Sequence, residues 1–330
     1  MRICTRHITG PGAWVGADIK ESDWLVTLGS AEREELLAAT RALPPGAGPG
    51  EVTAADFPLP RLAPTLAELV RELEFGRGFA VLRGVPTDLP EPELYRLYAG
   101  LVAHMGTAVS QNARGELISH VTDYGKGDLS DNSVRIYETN AVVPFHTDSS
   151  DITGLLCLRP AAEGGASLLA SSATIHNRLL ERHRELLGVY YSGFVYDRRT
   201  EEESGETPYY RNPVFGYFDD VLSCRYYIRH YIDSAQQKSG LPLTEVETLA
   251  LDLFEEIAET ESNQVRMELR IGDLQFVNNN IVVHARTAYR DGPDQRRDLL
   301  RIWFNTPYAR KMPAWFAKFR FGMPRVEKRA

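Results

Sequence analysis

In the stretch "VVPFHTDSSD" (142–151), His146 and Asp148 stand two residues apart where an apolar run, read as a short strand, gives way to a polar turn. Strand residues i and i+2 project from one face, so an imidazole and a carboxylate point the same way. Alone, such a pair is ordinarily solvated or satisfied within a core. A second apolar run, "FVNNNIVVHARTAYRD", carries His284, 138 residues downstream. Beyond it, "DQRRDLLRIWFN" spaces Arg297 and Arg301 by four. Two imidazoles and one carboxylate on strands of a jelly roll can cover one face of an octahedral metal. They leave the other positions open, the arrangement that non-haem Fe(II) oxygenases use.

The elements that must hold these residues follow from period and punctuation. Before residue 106 the pattern is helical. Ser30 is expected to cap "AEREELLAATRAL", and Thr65 with Glu68 to form a capping box for "LAELVRELEF", which Gly76 stops. "EPELYRLYAGLVAHM" (91–105) is a third amphipathic helix, and "GFAVLRGV" (78–85) a strand between two of them. From about residue 117 the period changes to that of strands. The candidates are "LISHV", "VRIYET", "TGLLCL", "ASLLAS", "GVYYSGFVYD", "SCRYYIRHYI", "QVRMELR", "LQFVNN", "IVVHART" and "LLRIWFN". Helices near 173–187 and over "EVETLALDLFEEIAE", capped by Thr244 and Glu247, interrupt them. Many short strands with flanking helices predict a mainly β fold, a barrel or double-sheet jelly roll. The chain reads as one domain, 1–330, with a helical extension over 1–75 and a jelly-roll core over 75–310. Residues 197–213, charged and punctuated by Pro and Gly, read as a loop that could serve as a lid.

Bulk composition narrows the class. Of 330 residues 43% are hydrophobic, enough for a large core, and the net charge of −8 argues against a nucleic-acid binder. The basic stretch "KFRFGMPRVEKR" reads as a solvated terminus. Cys4, Cys157 and Cys224 are unclustered, which fits a reducing cytoplasm rather than a disulfide framework, with Cys157 a core residue. Neither a secretory h-region nor a run of about 18 apolar residues is present, so no membrane partner is expected.

The segments "GRGFAVLRGVP", "VRIYETNAVVPFHTDSSD", "LLCLRPAAEGGASLLASS", "GDLQFVNNNIVVHART" and "RRDLLRIWF" occur in the order found in one family. Over roughly residues 75 to 305 the chain resembles the TauD/TfdA-like (clavaminate synthase-like) Fe(II)- and 2-oxoglutarate-dependent dioxygenases. The resemblance implies a double-stranded β-helix with His146, Asp148 and His284 as iron ligands. It implies that Arg297 grips the distal carboxylate of 2-oxoglutarate, for which a planar guanidinium is well shaped. Ser167 falls where many members carry a threonine at that carboxylate, a departure that keeps a hydroxyl. Arg301 matches a position that in some members meets an anionic group of the substrate; the alternative is a salt bridge inside the barrel. Family halogenases lack the carboxylate, so Asp148 favours oxygenation.

Two neutral imidazoles and a carboxylate leave Fe(II) a net charge near +1, which suits the keto-acid end of a dianion. With O2 as second co-substrate, 2-oxoglutarate would be converted to succinate and CO2 while a substrate hydrogen is abstracted. The expected function is hydroxylation of a small polar molecule, such as an amino acid or a derivative. The alternatives are desaturation, cyclisation or oxidative decarboxylation at the same site, or a non-catalytic sensor of metal or 2-oxoglutarate. Gln111, Asn112, Tyr137 and Asn140 are the candidate substrate contacts, with Arg135 nearby; loop capping is the competing reading. His176 and His183 read as surface positions of a helix, and His104, His120 and His230 as structural. Asp151 lies in a turn or on the opposite face from Asp148 and is not expected to be a ligand. The cluster "PYYRNPVFGYF" reads as sheet core, and Asn278 to Asn280 as turn residues, with Asn280 supporting the ligands.

Overall fold

Alternation along the strand Asp298–Asn305 separates the layers. Leu300, Ile302 and Phe304 point into a core shared with helices, whereas Leu299, Arg301 and Trp303 point into a cavity. The computed structural model describes residues 2–126, 134–199, 202, 205–308 and 310–324.

Two sheets form the body. The larger runs Leu25–Thr27, Phe79–Arg83, Asp273–Asn278, Ile152–Arg159, Asp298–Asn305 and Thr107–Val109, with Ile118–Val121 also on the Asp298–Asn305 strand. Only its first pair is parallel among these ladders. The smaller sheet is antiparallel, in the order Gln264–Met267, Ser167–Ser171, Val282–Arg286 and Val143–His146. Phe79, Val81 and Val277 of the first meet Leu169, Val265, Met267 and Val282 of the second in one dry cluster. The architecture is the expected jelly roll.

Helices cover the outer faces. Ser30–Ala42, Ala63–Phe75 and Glu91–Ala103 bury Leu36, Leu66, Leu73, Leu97 and Leu101 against Ala80, Leu82, Leu156, Leu274 and Phe276. Each such leucine contributes about 1.5–3 kcal/mol. The first 75 residues therefore share the core of the large sheet and supply its edge strand, Leu25–Thr27. On the far side Ser172–Arg182, Leu187–Ser192 and Glu245–Glu259 pack on Phe145, Ala170, Val283 and Ala285.

Several local expectations are corrected. Gly29, not Ser30, is the N-cap of the first helix, its N–H donating to Glu32 at 2.6 Å. The second helix starts at Ala63, before Thr65, and Glu35 accepts from the N–H groups of Arg61 and Leu62. "VRIYET" holds a short 3-10 turn, Ile136–Glu138, instead of a strand. "GVYYSGFVYD" is split into the helix Leu187–Ser192 and the strand Phe194–Asp197. Tyr190 and Tyr191 both bury beside Phe215, and Gly193 turns the chain at φ 76°. A Cβ at Gly193 would lie 2.1 Å from the Asn212 carbonyl. "SCRYYIRHYI" likewise divides into the strand Val221–Cys224 and the helix Arg229–Ser239. The Thr244–Glu247 capping box is present. His176 is fully buried beside Tyr191, not on the surface, and burial pushes its pKa down to about 4.

Candidate active site

His146 ends one strand of the small sheet, and its register partner on the neighbouring strand is His284. Asp148 follows in the loop that leads to Ile152–Arg159. One ligand atom from each of these three residues lies within 4.8 Å of the others. Pro144 O accepts from Nδ1 of His146 at 2.9 Å, leaving Nε2 as the lone-pair atom. Nε2 of His284 is 3.7 Å from Oδ2 of Asp148.

The electrostatics match a divalent-cation site. Burial, then His146, lowers the His284 pKa to about 3, and burial also lowers that of His146. Burial would raise the Asp148 carboxyl, but Arg301 and the two imidazoles outweigh it and hold the pKa at about 2. Near neutral pH the donor set is two neutral imidazoles and a carboxylate, which fits Fe(II).

Support for Asp148 comes from three elements. Thr153 donates to its Oδ2 at 2.6 Å, and its backbone N–H donates to Asn279 Oδ1 at 2.9 Å. Arg225, fully buried, donates to the carbonyls of Asp148 and Ser150. The expected supporting asparagine is thus Asn279, one position before Asn280, which instead donates to Asp151. Asp151 is outside this group of donors, and its carboxylate is held by Arg225 and Arg320.

A cavity of about 190 Å³ opens in front of the three ligating groups. Arg297, Ser167, Arg301, Gln111, Asn112 and Tyr137 all line it, whereas Asn140 is exposed and stands outside. Arg297 is 5% exposed, its guanidinium lies 5.0 Å from the Tyr289 ring, and its Nη1 makes no hydrogen bond among the described residues. Ser167 donates to Gln275 at 2.9 Å. Arg301 is sandwiched between Tyr137 at 4.2 Å and Trp303 at 5.0 Å, with Nη1 3.7 Å from Asp148. Gln111 spends its amide on the structure, accepting from Arg301 and Ser119 and donating to two carbonyls. Its amide thereby holds Arg301 in place. Asn112 similarly caps its own loop through Glu116 and Arg114.

Other lining residues escaped the sequence reading. Arg286 stands two residues after His284 on the same face, a signal that period-2 spacing carried. Its Nη2 clasps the carbonyls of Thr139 and Ala141, while Nε and Nη1, buried, make no hydrogen bond among the described residues. Arg198, Arg199 and Arg135 line the cavity from the side of the 197–213 segment, four of whose residues lie outside the described ones. Tyr210 also reaches the cavity, although most of its neighbours are core. His104, His120 and His230 are held by Phe57, Asp298 and Arg199.

Residues 39–303 match the model of the taurine catabolism dioxygenase TauD, TfdA family. The chain is 42% identical over 337 residues to FR-33289 synthase of Streptomyces rubellomurinus, covering 99% of each. A taurine hydroxylase-like protein, SAT17, of Stachybotrys chartarum is 33% identical, covering 88% of this chain and 77% of its own. Among solved structures, asparagine oxygenase with Fe(II), 2S,3S-3-hydroxyasparagine and succinate gives a TM-score of 0.65 at 19% identity, over 85% of this chain and 93% of that one. The non-heme iron oxygenase OrfP with Fe and alpha-ketoglutaric acid gives 0.61 at 18%, over 85% and 94%. These two likenesses are of fold.

Proposed function

We propose, from the premise that this chain belongs to the taurine catabolism dioxygenase TauD/TfdA family, that it hydroxylates an unactivated C–H bond of a small, negatively charged, amino-acid-like molecule. Its class is that of the non-haem Fe(II)/2-oxoglutarate dioxygenases. The reading is carried by one observation: the His146–Asp148–His284 donor group shares its cavity with the Arg297 guanidinium, whose Nη1 makes no hydrogen bond among the described residues.

Bound iron, with 2-oxoglutarate and O2, supplies the oxidation, and the balance is one hydroxyl in the product with succinate and CO2 released. The residues of the chain do the rest. His146, Asp148 and His284 hold the metal. Arg297 grips the distal carboxylate of 2-oxoglutarate, and the Ser167 hydroxyl can turn to it from Gln275. Arg301, fixed by Gln111 and its two aromatic neighbours, receives an anionic group of the substrate. Val121, Leu155, Leu269 and Leu299 line the cavity and keep water from the reacting centre.

Charge supports the substrate class. Among the described residues that line the cavity are six arginines and two aspartates, with no lysine or glutamate. Arg198 is paired with Glu206, whereas Arg286 and Arg297 meet no carboxylate within 4 Å among the described residues, which favours an anionic group at this end of the cavity. Asparagine oxygenase and OrfP, of the same fold, are solved with hydroxyasparagine and hydroxyarginine, which supports the amino-acid character of the substrate but not its charge. No helix among the described residues is long and apolar enough to cross a membrane. Three buried free cysteines fit the cytoplasm as the site of action, and the shared core of residues 1–75 supports a single domain.

The test is a succinate-release screen of free amino acids and their acylated and acidic derivatives, with Fe(II), 2-oxoglutarate and O2. A substrate-stimulated signal and a product heavier by one oxygen are expected. A product lighter by two hydrogens would mean desaturation. Tight binding of Fe(II) and 2-oxoglutarate with no stimulation by any compound would overturn the enzymatic reading in favour of a sensor.

A further inference from the structure

The basic stretch 318–329 reads from composition as a solvated terminus, yet its described part, 318–324, is docked, as are residues of 310–317 before it. Phe316 is fully buried against Phe218, and Phe319 and Met323 pack with Val109 and Trp303. Phe319 and Met323 also line the cavity, on the Trp303 side of Arg301. Ser110 and Met323 exchange two hydrogen bonds, Met323 N to Ser110 O at 3.1 Å and Ser110 Oγ to Met323 O at 2.7 Å. Gly322, at φ 105°, permits this approach, since a Cβ there would lie 2.5 Å from Ser110 Oγ.

The same segment is fastened to the loop that carries Asp148. Arg320, 4% exposed, donates Nε and Nη2 to Oδ2 of Asp151 at 2.9 and 2.7 Å. Asn305 adds a second link: its Oδ1 accepts from Asp151 N at 3.0 Å and its Nδ2 donates to Arg320 O at 2.9 Å. Asp151 is three residues from Asp148, and Arg225 ties the carbonyls of Asp148 and Ser150 to the same carboxylate. A buried, charge-assisted network therefore joins the wall of the cavity to the backbone of a ligand-bearing loop.

We propose that residues 313–324 form a substrate-determining wall of the active site, with Phe319 and Met323 as its specificity residues, and that Arg320 is a positioning residue that couples this wall to the loop 146–151. The proposal rests on the oxygenase reading of the cavity. Phe319 and Met323 set which substrates fit the wall, while the Arg320–Asp151 contact holds the wall and the metal loop in place together.

Hydrogen exchange followed by mass spectrometry tests the coupling without a substrate. In Arg320→Gln, peptides covering 146–151 and 313–324 should exchange faster together, by about fivefold or more over wild type. Arg320→Lys, which keeps the charge, should restore part of the protection in both. Opening of 313–324 alone would overturn the coupling. Phe319→Ala and Met323→Ala, which leave the buried charges intact, should retain protection at 146–151. With the best substrate of the succinate screen, they should raise KM about tenfold with kcat changed far less, and admit bulkier analogues. An unchanged substrate ranking in both would overturn the specificity role. Wild-type protein that releases no succinate with any compound would sink the oxygenase reading, while the exchange result would still decide the coupling.

Discussion

His146 and His284 face each other as register partners on adjacent antiparallel strands, with ring centroids 4.3 Å apart. The small sheet thus sets two donors by backbone pairing, and Asp148 brings the third from a loop. Asp148→Ala should abolish substrate-dependent succinate release and leave the far-ultraviolet circular dichroism unchanged. Full turnover in this variant would sink the metal assignment.

Thr153→Val tests the support of that carboxylate. The substitution removes the 2.6 Å bond to Asp148 Oδ2 and leaves Asn279 without one acceptor. Fe(II) affinity should fall about 10–100-fold, the range for losing such outer contacts. Anaerobic Fe(II) titration followed by 2-oxoglutarate addition reads it, and an unchanged affinity would count against the arrangement.

Two arginines four residues apart should separate kinetically. Arg297→Ala should raise KM for 2-oxoglutarate about 30-fold or more, as expected when a buried charge partner is lost. Arg301→Gln should instead raise KM for the primary substrate, with 2-oxoglutarate affinity changed by no more than about threefold. Both defects falling on the same ligand would refute the division of roles.

His120 gives a pH signature. Its Nδ1 lies 2.7 Å from Asp298, and that bond raises its pKa above the ordinary histidine value although burial opposes it. The protonated pair stabilises the fold fully below the unfolded value, about 6.5. That contribution is lost as pH rises through the folded value. Stability in urea should drop on going from mildly acidic to alkaline pH by at most about 1 kcal/mol, and His120→Gln should flatten this slope. An identical slope in the variant would exclude the pair as its source.

Much of the site was legible because strands write geometry into spacing. His146 with Asp148, the apolar run ending at His284, and Arg297 with Arg301 all declare their faces locally. The same logic extends to Arg286, which that reading passed over. Other features depend on partners far along the chain. Nothing near "GVYYS" marks a helix; the burial of Tyr190 and Tyr191 against Phe215 and Phe254 decides it. His176 and Arg320 lie in polar stretches that read as exposed, and their burial depends on Tyr191 and on Asp151, 169 residues away from Arg320. A free amide and one already bonded to Arg301 are the same letter, so the hydrogen bonds that tie Gln111 to Arg301 were not legible.

The pairing of His146 with His284 also has a temporal meaning. The register partners are 138 residues apart, so the strands can meet only after a long loop has closed, a late event in a slow β topology. Until then the chain offers no preformed trio of donors. Iron uptake is thus expected to report a finished fold rather than to nucleate one.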